Sequence, residues 1–211
     1  MTDRAVVLDL DGTLVDSVHH HVTAWHRALV AEGFDVPMVR VHAGIGMGGD
    51  RLVPWLLGRP VDDDLHDRLS SRHGELFRAV ADDLRATSGA RALLDDLEAR
   101  GVPHVVATSA SADDRAVLLR ALGREDLDVV DADDVASSKP APDLLLAACD
   151  HVGADPTDAV MVGDAPWDAH AARRAGMSCV LVRCGGFGDT LLREAGPTRL
   201  VDVPADLVAQ L

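Results

Sequence analysis

The sequence predicts an α/β fold, a doubly wound parallel sheet with an all-helical segment inserted after its first strand. Three observations support this prediction. From Ser88 onward, short apolar segments alternate with segments of helical periodicity, which is the order that builds parallel βαβ units. The apolar segments are nearly continuous, as expected for strands buried on both faces. Between the first strand and Ser88, residues 16–86 show only helical or irregular patterns.

This pattern divides the chain into two units. Residues 1–15 and 87–211 are expected to form the α/β domain, and residues 16–86 are expected to form the helical insertion. A chain of 211 residues is long enough for one large domain or for two small ones.

The first strand is the apolar run 6–8, which ends at an Asp9-Leu-Asp11-Gly12 loop. In the insertion, the predicted elements are a helix capped by Asp16 or Ser17 and ending near Gly33, an irregular glycine-rich stretch over 34–58, and a helical region over 61–86 with a possible break at Gly74.

The α/β part is predicted to continue with alternating elements. They are a helix capped by Ser88 and ended by Gly101, a strand at 103–107, a helix at 112–122 ended by Gly123, a weak strand at 129–130, a helix at 142–152, a strand at 159–162, a helix at 167–175, a strand at 179–182, a short helix at 190–195, a strand at 199–201 and a final helical turn.

The composition limits the partners of the protein. It has 35 acidic and 20 basic residues, for a net charge of −15, which argues against nucleic acid or an anionic membrane as a partner. No apolar run is long enough to span a bilayer, and residues 1–4 leave no room for a signal peptide before the first strand. The three cysteines lack metal-ligand spacing, so reduced thiols in a cytoplasmic protein are expected.

Polar residues follow most of the predicted strands. The carboxyl ends of parallel strands form one edge of a sheet, where ligands bind, so these side chains are expected to converge. They are Asp9 and Asp11 after the first strand, Thr108 and Ser109, the loop 137–139 with the only lysine, Lys139, and Gly163 with Asp164.

Asp9 and Asp11 lie two residues apart and can face the same side of an extended chain. Taken alone, this stretch fits either a cation site or an ordinary Asp-Gly surface turn. Together with Asp164 and Asp168, it offers the oxygen ligands of a hard divalent cation such as Mg²⁺.

Groups suited to a phosphate dianion follow the same strands. They are the hydroxyl of Ser109, the backbone amides of Gly12 and Ala110, and the ammonium of Lys139. Cations and oriented donors of this kind provide most of the catalysis in phosphoryl transfer.

Four short motifs carry a resemblance to a known family. They are Asp9-Leu-Asp11-Gly-Thr13, Thr108-Ser109, Lys139-Pro140 and Gly163-Asp164-Ala-Pro-Trp-Asp168. In this order they resemble the motifs of the haloacid dehalogenase-like (HAD) superfamily, and most closely its phosphoglycolate phosphatase and β-phosphoglucomutase subfamily. The resemblance covers essentially the whole chain and implies a Rossmann-like core with a helical cap.

The resemblance also implies roles for individual residues. Asp9 would be the nucleophile that forms an aspartyl-phosphate, and Asp11 the acid and base. Asp9, the main-chain carbonyl of Asp11, and Asp164 would hold Mg²⁺, while Asp168 would bind it or orient a metal-bound water. Ser109 and Lys139 would bind the phosphoryl group, with Thr108 as the alternative hydroxyl. The usual serine or threonine after Asp164 is replaced by Ala165-Pro166.

The expected activity is a Mg²⁺-dependent phosphatase acting on a small phosphorylated metabolite, of the sugar phosphate or phosphoglycolate type. A β-phosphoglucomutase-like mutase is the alternative, since His21 and Trp25 resemble the mutase pattern, whereas Thr13 is typical of phosphatases. A non-catalytic phosphometabolite-binding or scaffold protein is a third hypothesis. The sequence does not decide between a monomer and a dimer.

In the insertion, His21, Gly48 and Arg51 are candidate substrate contacts. Residues 44–49 match the G-x-G-x-x-G pattern of dinucleotide-binding proteins, but the strand–helix context is missing. Residues 19–21 are consecutive histidines, which point in different directions on a helix and do not form a metal site together. Trp167 is expected to serve mainly in packing.

Overall fold

The computed structural model describes residues 5–131 and 137–211. Residues 1–4, where the sequence predicts the absence of a signal peptide, lie outside the described part. The described residues form a six-stranded, fully parallel sheet with the order β3-β2-β1-β4-β5-β6. The strands are β1 (Ala5–Leu8), β2 (His104–Ala107), β3 (Val129–Val130), β4 (Ala159–Gly163), β5 (Ser178–Val182) and β6 (Arg199–Val201).

The helices are, in chain order, α1 (Val18–Ala31), α2 (Met38–Gly44), α3 (Gly49–Leu57), α4 (Asp63–Arg78), α5 (Ala90–Arg100), α6 (Ala112–Leu122), α7 (Asp143–Val152), α8 (Pro166–Ala175) and α9 (Asp189–Glu194). Because side chains alternate along a strand, β1 sends Val6 and Leu8 to one face and Val7 to the other. The first face packs on α5 and α6. The second packs on α7, α8 and α9. This arrangement confirms the predicted doubly wound α/β fold.

Helices α1–α4, which we call the helical insertion, separate β1 from the rest of the α/β part. They have an apolar cluster of their own, in which Val22, Leu29, Leu52 and Leu69 are buried. The helical character of this segment agrees with the prediction. Its division into a separate domain over residues 16–86 stays a prediction.

The sequence interpretation was wrong in several local places. Residues 34–58 are not irregular, since α2 and α3 lie there; tertiary packing stabilises such short helices more than local propensity does. Gly74 does not break α4, which runs through it. Gly89, not Ser88, occupies the N-cap of α5, with a φ of 79° that favours glycine.

The strand order places β1 next to β4, with β2 and β3 on one side and β5 and β6 on the other. Successive strands are therefore added in one direction from β1 and in the opposite direction from β4. In a doubly wound sheet, this reversal of the strand order opens a crevice beyond the carboxyl ends of the two central strands. Asp9 follows β1 and Asp164 follows β4, so both lie at this crevice.

None of the helices in the described part of the chain is long and apolar enough to cross a bilayer.

Candidate active site

Asp9 lies at the centre of the crevice, 3% exposed. Its backbone amide donates to the carbonyl of Val162 at 2.9 Å, which ties the end of β1 to β4. The ammonium of Lys139 lies 2.6 Å from Asp9 Oδ1 and 2.8 Å from Asp168 Oδ1. Burial would lower the pKa of Lys139, but Asp168 and Asp9 outweigh it and raise that pKa. The only lysine of the chain is therefore a fixed cation beside Asp9.

Asp164 and Asp168 lie at the end of β4 and the start of α8. Thr13 Oγ1 donates to Asp164 Oδ1 at 2.9 Å. Asp168 Oδ2 accepts from the amides of Asp164 and Ala165 at 3.2 and 3.0 Å. The Asp168 carboxylate thus holds the turn after β4 and contacts Lys139 at the same time.

The slot around Asp164 is bounded by two glycines. A Cβ added at Gly12 would lie 2.4 Å from Asp164 Oδ2, and one added at Gly185 would lie 1.9 Å from the same atom. Only glycine leaves room for this carboxylate from both sides, and Gly12 also has a φ of 76°.

The three buried carboxylates fit a divalent cation. One carboxylate oxygen from each of Asp9, Asp164 and Asp168 lies within 4.8 Å of the other two. Burial, followed by repulsion from Asp168 and Asp9, raises the pKa of Asp164 well above its usual value. Lys139 balances one of these three charges. The excess of negative charge and the oxygen-only donor set are those preferred by Mg²⁺.

Asp11 is held by two side chains from the start of the helical insertion. Ser17 Oγ donates to Asp11 Oδ1 at 2.6 Å, so this hydroxyl does not cap α1 as expected. His21 Nε2 lies 2.8 Å from the same oxygen. Burial alone would raise the pKa of Asp11, but attraction to His21 and hydrogen bonds from His21 and Ser17 hold it below its usual value.

His73 of α4 extends this chain of contacts. Its Nε2 lies 2.9 Å from His21 Nδ1, and its ring stacks on Trp25 with centroids 4.2 Å apart. Burial, with His21 and Arg78 adding to it, lowers the pKa of His73 well below its usual value. A neutral His73 therefore fixes the ring of His21, which in turn contacts Asp11.

The hydroxyls after β2 have different surroundings. Thr108 Oγ1 accepts from the amide of Ala110 at 3.1 Å. Ser109 lines the cavity, and its Oγ is buried with no hydrogen-bond partner among the described residues. A buried hydroxyl of this kind suits an anionic ligand, and the choice of Ser109 over Thr108 as a phosphate contact stays a prediction.

The backbone amides expected to face a phosphate are engaged elsewhere. The Gly12 amide donates to the carbonyl of Val15 at 2.8 Å, and the Ala110 amide donates to Thr108. The tight turn after Asp11 directs the Gly12 amide back to its own loop. In this structure, neither amide is free for a ligand.

A cavity of about 670 Å³ lies between the crevice and the helical insertion. Its lining includes Asp9, Asp11, Lys139, His21 and Gly48. Of the three substrate contacts expected in the insertion, His21 and Gly48 therefore line the cavity.

Arg51 does not line this cavity within the described part of the chain. Its guanidinium donates instead to Ser137 Oγ at 3.0 Å and lies 3.5 Å from Asp50. Trp167 of α8 packs against the helical insertion, and its Nε1 donates to the carbonyl of Ala43 at 3.2 Å.

The family model for haloacid dehalogenase-like hydrolases matches residues 4–176. The chain belongs to this family. Among curated proteins, this HAD-like hydrolase is 35% identical to a phosphoglycolate phosphatase of Rhodospirillum rubrum, over 86% of this chain and 80% of that protein. It is 34% identical to the validoxylamine A 7'-phosphate phosphatase of Streptomyces hygroscopicus subsp. limoneus, over 84% of each chain.

Among solved structures, the HAD-like hydrolase is similar to a hydrolase from Pseudomonas syringae, with a TM-score of 0.94 and 36% identity. The match covers 98% of this chain and 96% of that one. Family and relatives confirm the predicted enzyme class, a phosphatase that acts on a small phosphorylated substrate.

The roles of three residues at the site of this HAD-like hydrolase were missed in the sequence. Thr13 was interpreted only as a marker of phosphatases, but it holds Asp164. His73 lies four residues after Leu69 on the buried stripe of α4, and a polar residue at an apolar stripe position is a signal that could have indicated it. Gly185 had no signal, because nothing in its sequence surroundings points to Asp164.

The metal-free HAD-like hydrolase is expected to lose thermal stability as the pH rises from about 4 to about 7. Burial raises the pKa of Asp9 to about 7 from a usual value of 3.8. The folded state keeps this proton where the unfolded chain loses it, so the contribution is full below about pH 4 and is lost through pH 7. The measurement is the melting temperature in EDTA across this pH range.

Mg²⁺ competes with that proton, so it should raise the melting temperature more at about pH 8 than at about pH 5. The Asp9→Asn variant should show a shallower pH dependence. An equal effect of Mg²⁺ at both pH values would contradict the assignment of Asp9 to a cation site.

Proposed function

We propose that the protein is a Mg²⁺-dependent phosphatase that works through an aspartyl-phosphate on Asp9. The observation that carries this proposal is the position of the Asp9 carboxylate, which lines the cavity with Lys139 at 2.6 Å and Asp11 two residues away. Asp9, Asp164 and Asp168 would hold the cation. When bound, Mg²⁺ would supply charge neutralisation for the phosphoryl group.

In the first half-reaction, a carboxylate oxygen of Asp9 attacks phosphorus, and the bond from phosphorus to the leaving oxygen breaks. The leaving oxygen takes its proton from the Asp11–His21 pair. Lys139 and Ser109 contact the phosphoryl oxygens, on which negative charge is concentrated.

In the second half-reaction, Asp11 accepts a proton from water as the water attacks phosphorus. The acyl-phosphate bond breaks, and phosphate and the Asp9 carboxylate are released. Its contacts with His21 and Ser17 lower the pKa of Asp11 and so keep its carboxylate ionised, which is the form that can accept a proton.

The substrate is not decided by the relatives. Two curated proteins of nearly equal identity, 35% and 34%, carry the names of different substrates, phosphoglycolate and validoxylamine A 7'-phosphate. A small phosphate monoester is the class that they share.

The test is phosphate release from p-nitrophenyl phosphate, with Mg²⁺ and with EDTA. The wild-type protein should turn over only with the metal. Absence of turnover would favour a non-catalytic phosphometabolite-binding or scaffold protein instead. For the mutase alternative, β-glucose 1-phosphate is supplied, and formation of glucose 6-phosphate in place of free phosphate would overturn the phosphatase assignment.

Replacing Ser109 by alanine is expected to lower kcat/KM by about 10- to 100-fold, because a hydrogen bond to a charged oxygen is worth about 1.5–3 kcal/mol. The matched variant Thr108→Val should have a smaller effect, because the Thr108 hydroxyl is already bonded to Ala110. A larger loss in Thr108→Val, measured by steady-state kinetics, would make Thr108 the phosphate-binding residue.

A further inference from the structure

We propose that the cavity selects phosphate esters whose leaving group is rich in hydroxyls and carries no second negative charge. Esters that bear a carboxylate, such as 2-phosphoglycolate, would be poor substrates. This inference rests on the proposed phosphatase function and adds the chemistry of the leaving group to it.

The first argument is the charge of the cavity wall. Apart from the groups assigned to the chemistry, the described lining contains three carboxylates and one guanidinium, those of Asp50, Asp113, Asp114 and Arg78. The charge of Arg78 is offset by the buried Asp114, whose Oδ1 accepts from Arg78 Nη1 at 2.8 Å. The wall therefore has an excess of negative charge.

Arg51 offsets the charge of Asp50 from outside the lining, so the exposed Asp113 is the wall carboxylate that has no cationic partner in the part of the chain that the structure describes. Arg51 is directed to Ser137 and Asp50 and does not line the cavity. Residues 132–136, which directly precede Ser137 in the sequence, contain no lysine or arginine. A carboxylate or a second phosphate on the leaving group would face like charges, an arrangement that suppresses binding.

The second argument is the supply of uncharged polar groups. The residues that line the cavity include Ser70, Ser71, Ser111 and His66. His66 Nε2 is buried, and no residue in ranges 5–131 and 137–211 forms a hydrogen bond with it. A hydroxyl can both donate and accept a hydrogen bond. The serine hydroxyls and the imidazole can therefore form hydrogen bonds with the hydroxyls of a polyol or sugar without requiring a charge on the ligand.

The third argument is size and shape. Ile45, Met47 and Leu52 form an apolar part of the wall, which suits the C–H groups of a carbon chain or ring. The volume of about 670 Å³ lies well inside the range of roughly 300–1,000 Å³ for pockets that enclose drug-sized ligands. A leaving group larger than a two-carbon acid fits this space.

The test uses pairs of esters that differ in a carboxylate but not in length. The short pair is 2-hydroxyethyl phosphate and 2-phosphoglycolate, and the long pair is glucitol 6-phosphate and 6-phosphogluconate. Initial rates of phosphate release are measured with Mg²⁺ at about pH 8, where an ordinary imidazole is uncharged. p-Nitrophenyl phosphate reports the basal phosphatase activity.

In both pairs, kcat/KM should be about tenfold or more higher for the uncharged leaving group, and added salt should narrow the difference. Glucitol 6-phosphate should exceed 2-hydroxyethyl phosphate. The Asp113→Asn variant removes one exposed wall charge from the first turn of α6. In each pair, it should lower the ratio of kcat/KM for the uncharged leaving group to kcat/KM for the carboxylate-bearing one by about two- to threefold.

The matched control is Asp63→Asn, which removes an exposed carboxylate from the first turn of α4, away from the cavity lining. It should leave both ratios unchanged. Equal or higher kcat/KM for the carboxylate-bearing esters would overturn the inference while the phosphatase proposal stands. Absence of turnover with every ester, including p-nitrophenyl phosphate, would overturn the proposed function and the inference with it.

Discussion

The Asp9→Asn variant is expected to lose at least about 10⁴-fold in kcat toward p-nitrophenyl phosphate, since removal of a covalent nucleophile in other enzymes costs up to about 10⁶-fold. Asparagine has nearly the shape of aspartate and can still accept from Lys139, but it carries no charge to attack phosphorus. The measurement is steady-state phosphate release with Mg²⁺.

Folding of this variant is checked separately by its melting temperature. Removing one of three buried carboxylates around one ammonium relieves repulsion, so the metal-free variant should be at least as stable as the wild type at neutral pH. Asp63→Asn serves as the control for the loss of a carboxylate outside the site. Turnover within tenfold of the wild type would remove Asp9 from its role as nucleophile.

Replacing Asp11 by asparagine is expected to reduce kcat by about 10²- to 10⁴-fold, the usual contribution of general acid–base catalysis. The loss should depend on the substrate. p-Nitrophenolate leaves without protonation, so the first half-reaction should proceed and the second, which needs a base for water, should stall. The expected result is a burst of about one equivalent of nitrophenolate followed by slow turnover.

The trapped intermediate gives a direct readout. After acid quenching, intact mass spectrometry should show one phosphoryl group per chain in Asp11→Asn and none in Asp9→Asn. An Asp11→Asn variant that is slow without either a burst or a phosphorylated chain would indicate that Asp11 acts before the covalent step only, and the two-step role proposed for it would be wrong.

Much of the α/β part could be predicted because its signals are local. Gly101 and Gly123 were expected to end α5 and α6, and both have the positive φ that a helix end of this type needs, 69° and 72°. Helices α2 and α3 were missed because four glycines at 44–49 hide their pattern. They are held instead by the burial of Val41, Leu52 and Leu56, which only the folded insertion provides.

For the site, the sequence predicted which residues lie at the strand ends but not what they contact. The rule for parallel sheets brings Asp9, Lys139 and Asp164 together although they are far apart in the chain. The rule does not predict side-chain hydrogen bonds such as the one from Arg51 to Ser137, which orients the guanidinium outside the cavity lining. The hydrogen bond from the Ala110 amide to Thr108, which bears on the choice between Ser109 and Thr108, also required coordinates.

The two glycines beside Asp164 have a consequence for protein engineering. Positions 12 and 185 carry no functional group, yet a methyl group at either would displace a carboxylate of the site. A library aimed at new substrates can vary the wall residues contributed by α3 and α4, such as Asp50 and Ser70, which approach the cavity from the other side. In such a library, positions 12 and 185 should stay fixed together with the acidic residues whose space they provide.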